Sequence, residues 1–210
     1  LGVQEVRTLS TLTGLAAKIL QDDAGISYTA YMISTTGTIN NGFLVRDTIT
    51  VDSVTELGAD ETLPNSNSTL HDRPPVLLSG SYTGGEGDPF PIKVIVVHNR
   101  SLIDGDQNFV RIKRFEQAQS IARMTQDQQT ADPDVRLLVL GDFNAYEFTD
   151  GLADAVGQIA GDFTPEDSLR SGPDLVEPNL INQILRLPAE ERYSFNQEGN
   201  SQALDHILAS

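Results

Sequence analysis

Apolar positions recur along this chain at two periods. Leu9, Leu12, Leu15, Ala16, Ile19 and Leu20 fall at helical spacing, which predicts an amphipathic helix over residues 8–22, ended by Gly25. Val110, Ile112, Phe115, Ala118, Ile121 and Ala122 form a second stripe and predict a helix over 106–129, stopped by Asp132-Pro133. A shorter helix is expected over 148–159. Between these lie apolar runs of strand length: 42–46 and 48–54 around a turn at Arg46-Asp47, then 75–81, 92–98 and 136–140. Segments 193–195 and 203–208 read as a hairpin across 196–200. The stretches 56–71 and 83–91 are rich in polar residues, Gly and Pro and read as loops. Strands outnumber long helices and their order is mixed. The pattern predicts an α/β (α+β) fold of largely antiparallel sheets packed together, with helices outside.

Length and charge narrow this further. The 210 residues suffice for one domain with a sizeable core. No apolar run approaches the roughly 18 residues a bilayer requires. With no cysteine, disulfides, thiolate metal sites and cysteine nucleophiles are excluded. Asp and Glu number 30 against 14 Lys plus Arg, a net charge of −16. A protein that coats nucleic acid is expected to be basic, so a passive DNA-binding module is disfavoured. An enzyme that meets one or two phosphates through a metal ion is compatible, because the ion supplies the local positive charge. High acidity also suits a salty exterior, although solubility alone accounts for it equally well.

Four short segments carry candidate chemistry. Gly141-Asp142-Phe143-Asn144-Ala145 follows a buried strand, so Asp142 and Asn144 are expected on one face and Phe143 on the other. An acid beside an amide suits Mg²⁺, Mn²⁺ or a phosphate oxygen; the plainer reading is a turn that caps the next helix. Glu5, just before the first helix, is either a first-turn dipole partner or a hard-metal ligand. His98 ends a strong strand and could contact a phosphoryl oxygen or pass a proton, against the plainer reading of a half-buried structural histidine. In Leu204-Asp205-His206-Ile207-Leu208, alternation places Asp205 and His206 on opposite faces, so they should not form a dyad.

Taken in order, these segments resemble the endonuclease/exonuclease/phosphatase superfamily, nearest to bacterial extracellular nuclease-like members. The likeness is carried by VQEVRTLSTL, GFLVR, DRPPVLL, HNRSLIDGD, VLGDFNAYEFTDGL and RYSFNQEGNSQALDHIL. It implies a deoxyribonuclease I-like sandwich of two mainly antiparallel sheets flanked by helices. It implies a secreted or cell-surface, divalent-metal-dependent phosphodiesterase, a nuclease acting on DNA or RNA, with Mg²⁺, Mn²⁺ or Ca²⁺ as the ion; the alternatives are the same chemistry on a lipid or small phosphoester, or a non-catalytic module of a larger extracellular protein. Glu5 and Asp142 match metal ligands. His98, Asp142, Asn144 and Asp205 match catalytic positions, and Arg73 and Arg100 fall where relatives contact substrate phosphate. His206 sits where relatives vary and is given no role. The family also has an Asn-bearing strand before its Gln-Glu motif and a closing Ser-Asp-His strand, neither of which is in this sequence. Residues 1–210 are therefore expected to be a single domain lacking its first and last strands, completed by flanking sequence or a second chain.

Overall fold

The structure, a computed structural model, describes residues 1–33 and 39–210. β1 (Gly2–Val6), β2 (Tyr28–Met32) and β3 (Asn40–Arg46) form a small antiparallel sheet in the order β1-β3-β2. Helix α1 (Leu9–Asp22) follows β1, and the Thr8 hydroxyl caps it by accepting from the Thr11 amide. The strands β4 (Ile49–Glu56), β5 (Val76–Tyr82), β6 (Phe90–His98) and β7 (Leu137–Asp142) come next. They are followed by β8 (Ile181–Asn182), β9 (Phe195–Gln197), β10 (Asn200–Gln202) and β11 (Asp205–Ala209). The larger sheet runs β4-β5-β6-β7-β11-β8, while among the described residues β9 and β10 pair only with each other. Helices α2 (Asn108–Ala131) and α3 (Ala155–Ala160) complete the set.

Side-chain alternation stacks these elements into four layers. On β3, Leu44 turns outward to pack with Leu12 and Ala16 of α1, while Phe43 and Val45 turn inward. They meet Val76, Leu78 and Val96 from one face of the large sheet. The other face presents Leu77, Ile95, Val97, Val139 and Leu208 to Ile121 of α2 and Ile159 of α3. The order is therefore α1, small sheet, large sheet, then α2 and α3. β6 and β7 are parallel and α2 crosses between them, as a parallel pair requires. The remaining strand pairings are antiparallel, in keeping with the α/β sandwich expected.

Several local expectations change. The turn at Arg46-Asp47 does not close a hairpin: β3 pairs with β1 and β2, and β4 pairs with β5, so the chain switches sheets there. The helix expected over 148–159 shrinks to Ala155–Ala160, because Asp154 caps it by accepting from the Gly157 amide. The segment before it is instead drawn into loop contacts through Thr149 and Asp150. The hairpin expected between 193–195 and 203–208 is two separate features. β9 and β10 close a tight hairpin, and β11 leaves it to join β7 along its full length. β1 and β8 carry few apolar residues and form through pairing, while β2 is apolar at Tyr28, Ala30, Tyr31 and Met32 but lacks alternation.

Candidate functional site

The register of three neighbouring strands assembles the site. His98 at the end of β6 stands beside Asp142 at the end of β7, and Asp142 stands beside Asp205 at the start of β11. Side chains in register on adjacent strands share a face, so these three form a row on the rim that faces the small sheet. From that sheet Glu5 approaches. Its backbone sits at φ 58, in the left-handed region, at the end of β1 where the pairing with β3 slips. A non-glycine residue held there costs on the order of 1–3 kcal/mol, a strain that clusters at functional sites. Glu5 Oε1 lies 3.9 Å from His98 Nε2, and Asp142 Oδ2 lies 3.5 Å from the same nitrogen.

The loop after β7 explains its own sequence. Gly141 has φ 135, and a Cβ there would overlap the Val97 carbonyl oxygen. Phe143 is fully buried and anchors the turn in the core. Asn144 follows at φ 48, a conformation asparagine tolerates, and its amide N–H donates to Asp142 Oδ1 at 2.8 Å. Its side-chain Nδ2 donates to the Asn99 carbonyl at 3.1 Å. Arg73 donates to the carbonyls of His98 (3.4 Å) and Asn99 (3.0 Å). The loop bearing Arg73 is itself held by Asn41 Nδ2, which donates to the Pro74 carbonyl at 3.1 Å. Arg100 donates its backbone N–H to Gln117, while its side-chain Nε is buried without a partner.

Burial sets the protonation of the row. It is the main cause that drives the His98 imidazole down to about 4, and the nearby Arg73 adds to it, so the ring is neutral at neutral pH. The same burial pushes Asp142 up to about 6, against the Asn144 amide; Asp205 and Glu5 raise it further while Arg73 opposes. Arg73 is lowered by burial and supported by Asp72, Asp142 and Glu5. Three carboxylates therefore crowd one rim with too little positive charge to balance them.

Among the described residues, no three His, Cys, Asp or Glu side chains stand close enough to enclose a metal on their own. The donor set fits a hard cation that keeps much of its water and binds through one or two carboxylates, as Mg²⁺ does. Glu5 and Asp142 would supply those carboxylates, and such an ion would offset both the burial that chiefly raises the pKa of Asp142 and the smaller push from Asp205 and Glu5.

His206 lies elsewhere, as alternation predicted. It is buried against Phe143, with Nε2 2.8 Å from the Ala145 carbonyl oxygen and Nδ1 3.1 Å from Asn182. Pattern reading missed the supports. α2 is buried almost all round, including polar side chains at 113, 114, 117 and 120. Lys113 donates to Asp72 (2.7 Å) and the Thr69 carbonyl (3.1 Å). Arg114 donates to Asp150 (2.6 Å) and the Asn144 carbonyl (3.2 Å). Gln117 accepts from the Arg100 amide (2.8 Å) and donates to the Leu70 carbonyl (2.9 Å). One polar stripe on one helix thus ties together the loops carrying Arg73, Arg100 and Asn144. Its i, i+1, i+4, i+7 spacing was visible, but a polar stripe ordinarily marks a solvated face.

No protein-family model matches the sequence, and no curated protein matches it. Solved structures do match over the whole chain. A truncated Caenorhabditis elegans TDP2 superposes with a TM-score of 0.61 at 16% identity, over 100% of this chain and 69% of that one. The human Nocturnin catalytic domain with bound sulfate gives 0.60 at 13% identity, over 100% and 68%. D. rerio TDP2 with a single-strand DNA product gives 0.57 at 14%, over 99% and 69%.

Proposed function

We propose that this chain, whose fold is the deoxyribonuclease I-like sandwich of the endonuclease/exonuclease/phosphatase superfamily, serves a metal-dependent phosphodiesterase that cleaves nucleic acid. The observation that carries this reading is the row His98, Asp142 and Asp205, faced by Glu5 and flanked by Arg73. Each group has a task in in-line hydrolysis. Arg73 is a charged donor for a phosphoryl oxygen, and Arg100, whose buried Nε has no partner, is a second candidate. Neutral His98 has one ring hydrogen, which Nε2 on the rim side can give to a phosphoryl oxygen; its Nδ1 is buried without a partner. Asn144 keeps one of its two amide hydrogens for substrate, the other being used on Asn99. Asp205 sits on the same face and can orient a water or a base. A divalent ion held by Glu5 and Asp142, Mg²⁺ or Mn²⁺ by their chemistry, would polarise the phosphate and offset charge developing on it.

A secreted bacterial nuclease is the setting we favour, supported by the net charge of −16 and the lack of cysteine. Part of the same reading is that strands from outside residues 1–210 complete the domain. Its support is the edge of β1, which among the described residues pairs with β3 alone, beside an apolar slot of about 470 Å³ lined by Leu140, Leu187 and Ile207. Rapid Mg²⁺-dependent cleavage by residues 1–210 alone would overturn that part. The central test is plasmid and oligonucleotide cleavage by the intact protein with Mg²⁺ or with EDTA. Cleavage is expected only with the metal, and the double variant Glu5→Ala/Asp142→Ala should lose at least about a thousandfold in rate. Undiminished turnover in that variant would remove these roles.

A further inference from the structure

We infer that the cleft between the β9–β10 hairpin and the loop 101–105 is a nucleobase subsite. It would receive the base of the nucleotide whose phosphate meets His98 and Arg73. The inference rests on the phosphodiesterase reading above and names the substrate feature that site selects.

The cleft encloses about 330 Å³ and has two chemically different ends. One is the rim itself, with Asp142, Asn144 and Asp205. The other is walled by Phe195 and Ile103, with Gln197 and Gln202 beside them. Phe195 is 47% exposed and Ile103 69% exposed, so both present apolar surface that the fold leaves uncovered. A ligand that fills the whole cleft must join a charged group to a flat apolar body with polar edges. A nucleoside phosphate has that build. Aromatic faces stack bases of any identity, and primary amides carry both the donor and the acceptor that base edges require.

The aromatic wall is held at a set place relative to the rim. Phe195 pairs with Gln202 across the hairpin. The Ser194 hydroxyl oxygen, next to it, accepts from the amides of Leu204 and Asp205 at 3.1 and 3.0 Å. The Ser194 amide donates to the Gln202 carbonyl at 2.9 Å. The hairpin is thereby fastened at the residue that begins β11, and Phe195 and Asp205 are positioned together. Charge points the same way. With 14 Lys plus Arg against 30 acids, the chain has few cations to track a phosphate backbone, so affinity must come from a few phosphate contacts and from stacking.

The test compares two esters of p-nitrophenyl phosphate, one of thymidine through its 5′ oxygen and one of methanol, which has no base. In the intact protein with Mg²⁺, F195A should lower kcat/KM for the thymidine ester roughly tenfold more than for the methyl ester, chiefly through KM, and F195Y should restore it. Equal losses on both esters, or none on either, overturn the subsite and leave the phosphodiesterase reading standing. Failure of the unsubstituted protein to turn over either ester sinks that reading instead. The subsite is then decided by saturation-transfer NMR with thymidine 5′-monophosphate. Transfer to the base protons that F195A abolishes supports it; transfer indifferent to F195A, or no transfer, overturns it.

Discussion

The two ends of the parallel pair β6–β7 carry similar residues and have different fates. At the far end, Asp52, Lys93, Asp132, Asp134 and Arg136 line a cleft of about 200 Å³. Their interactions are few and separate: Asp132 accepts from the Asp134 amide two residues on, half-buried Lys93 donates to Gln128, and the Arg136 guanidinium lies 4.1 Å from the centre of the Phe90 ring. At the near end, the charged groups stand in register on adjacent strands, and buried donors hold the loops around them. Acidic residues beside a cleft are therefore a weak mark of a site. The stronger mark is a set of charges that the fold pays to bury and then supports.

Breaking the near end should have the largest effects. Asp142→Asn is expected to cut turnover by about a thousandfold, near 4 kcal/mol in barrier. It should also stabilise the metal-free protein. The folded pKa of Asp142 is raised from 3.8 to about 6, so ionisation disfavours the folded state increasingly as pH rises through that window, and fully above it. The shift corresponds to about 3 kcal/mol, reduced by solvent screening to about 1–2. A higher metal-free melting temperature at pH 8, with activity lost, would confirm a residue kept for function; a lower one would make Asp142 a structural acid.

Next comes the support. Arg114→Gln leaves Asp150 in a buried position without its cation and frees the Asn144 carbonyl, at a cost of about 3 kcal/mol. Denaturant melting measures it, and a change under 1 kcal/mol would show that the stripe on α2 is dispensable.

His71 should produce a smaller, pH-dependent effect. Its ring Nε2 donates to Ser120 Oγ, which in turn donates to Glu61. Burial, with Lys113 and Arg123 nearby, lowers it from 6.5 to about 4. Above pH 6.5 it is neutral whether the chain is folded or not; between 6.5 and about 4 only the unfolded chain takes the proton, so stability falls as pH falls. The loss is capped at about 3 kcal/mol by the shift. Melts across that window should show a shallower slope in His71→Gln than in the unsubstituted protein. An unchanged slope would assign the acid sensitivity to other groups. Smallest of all, Asp132→Asn with Asp134→Asn at the far end should move stability by under about 0.5 kcal/mol and leave cleavage unaltered. A marked loss of cleavage would erase the contrast between the two ends.

Much of this was legible in the sequence, for identifiable reasons. The strands ending at His98 and Asp142 were plain because apolar runs of that length pack between two layers. Alternation separated Asp205 from His206, and the structure gives His206 a buried place against Phe143. β8 escaped notice because two residues carry no pattern and its partner β11 lies far along the chain, and β2 because its apolar residues do not alternate. The polar stripe on α2 was not singled out, since burial of Lys113 and Arg114 depends on partners contributed by loops 41 and 36 residues away.

The sequence by itself determined the local periods, the turn residues and the face each side chain takes on its own strand, because those follow from backbone geometry over a few bonds. Tertiary structure decided that Glu5, Arg73, His98, Asp142 and Asp205 meet at one rim. Strand order and register bring them there, and both arise from hydrophobic faces packing across layers, a choice no short stretch of chain can make alone.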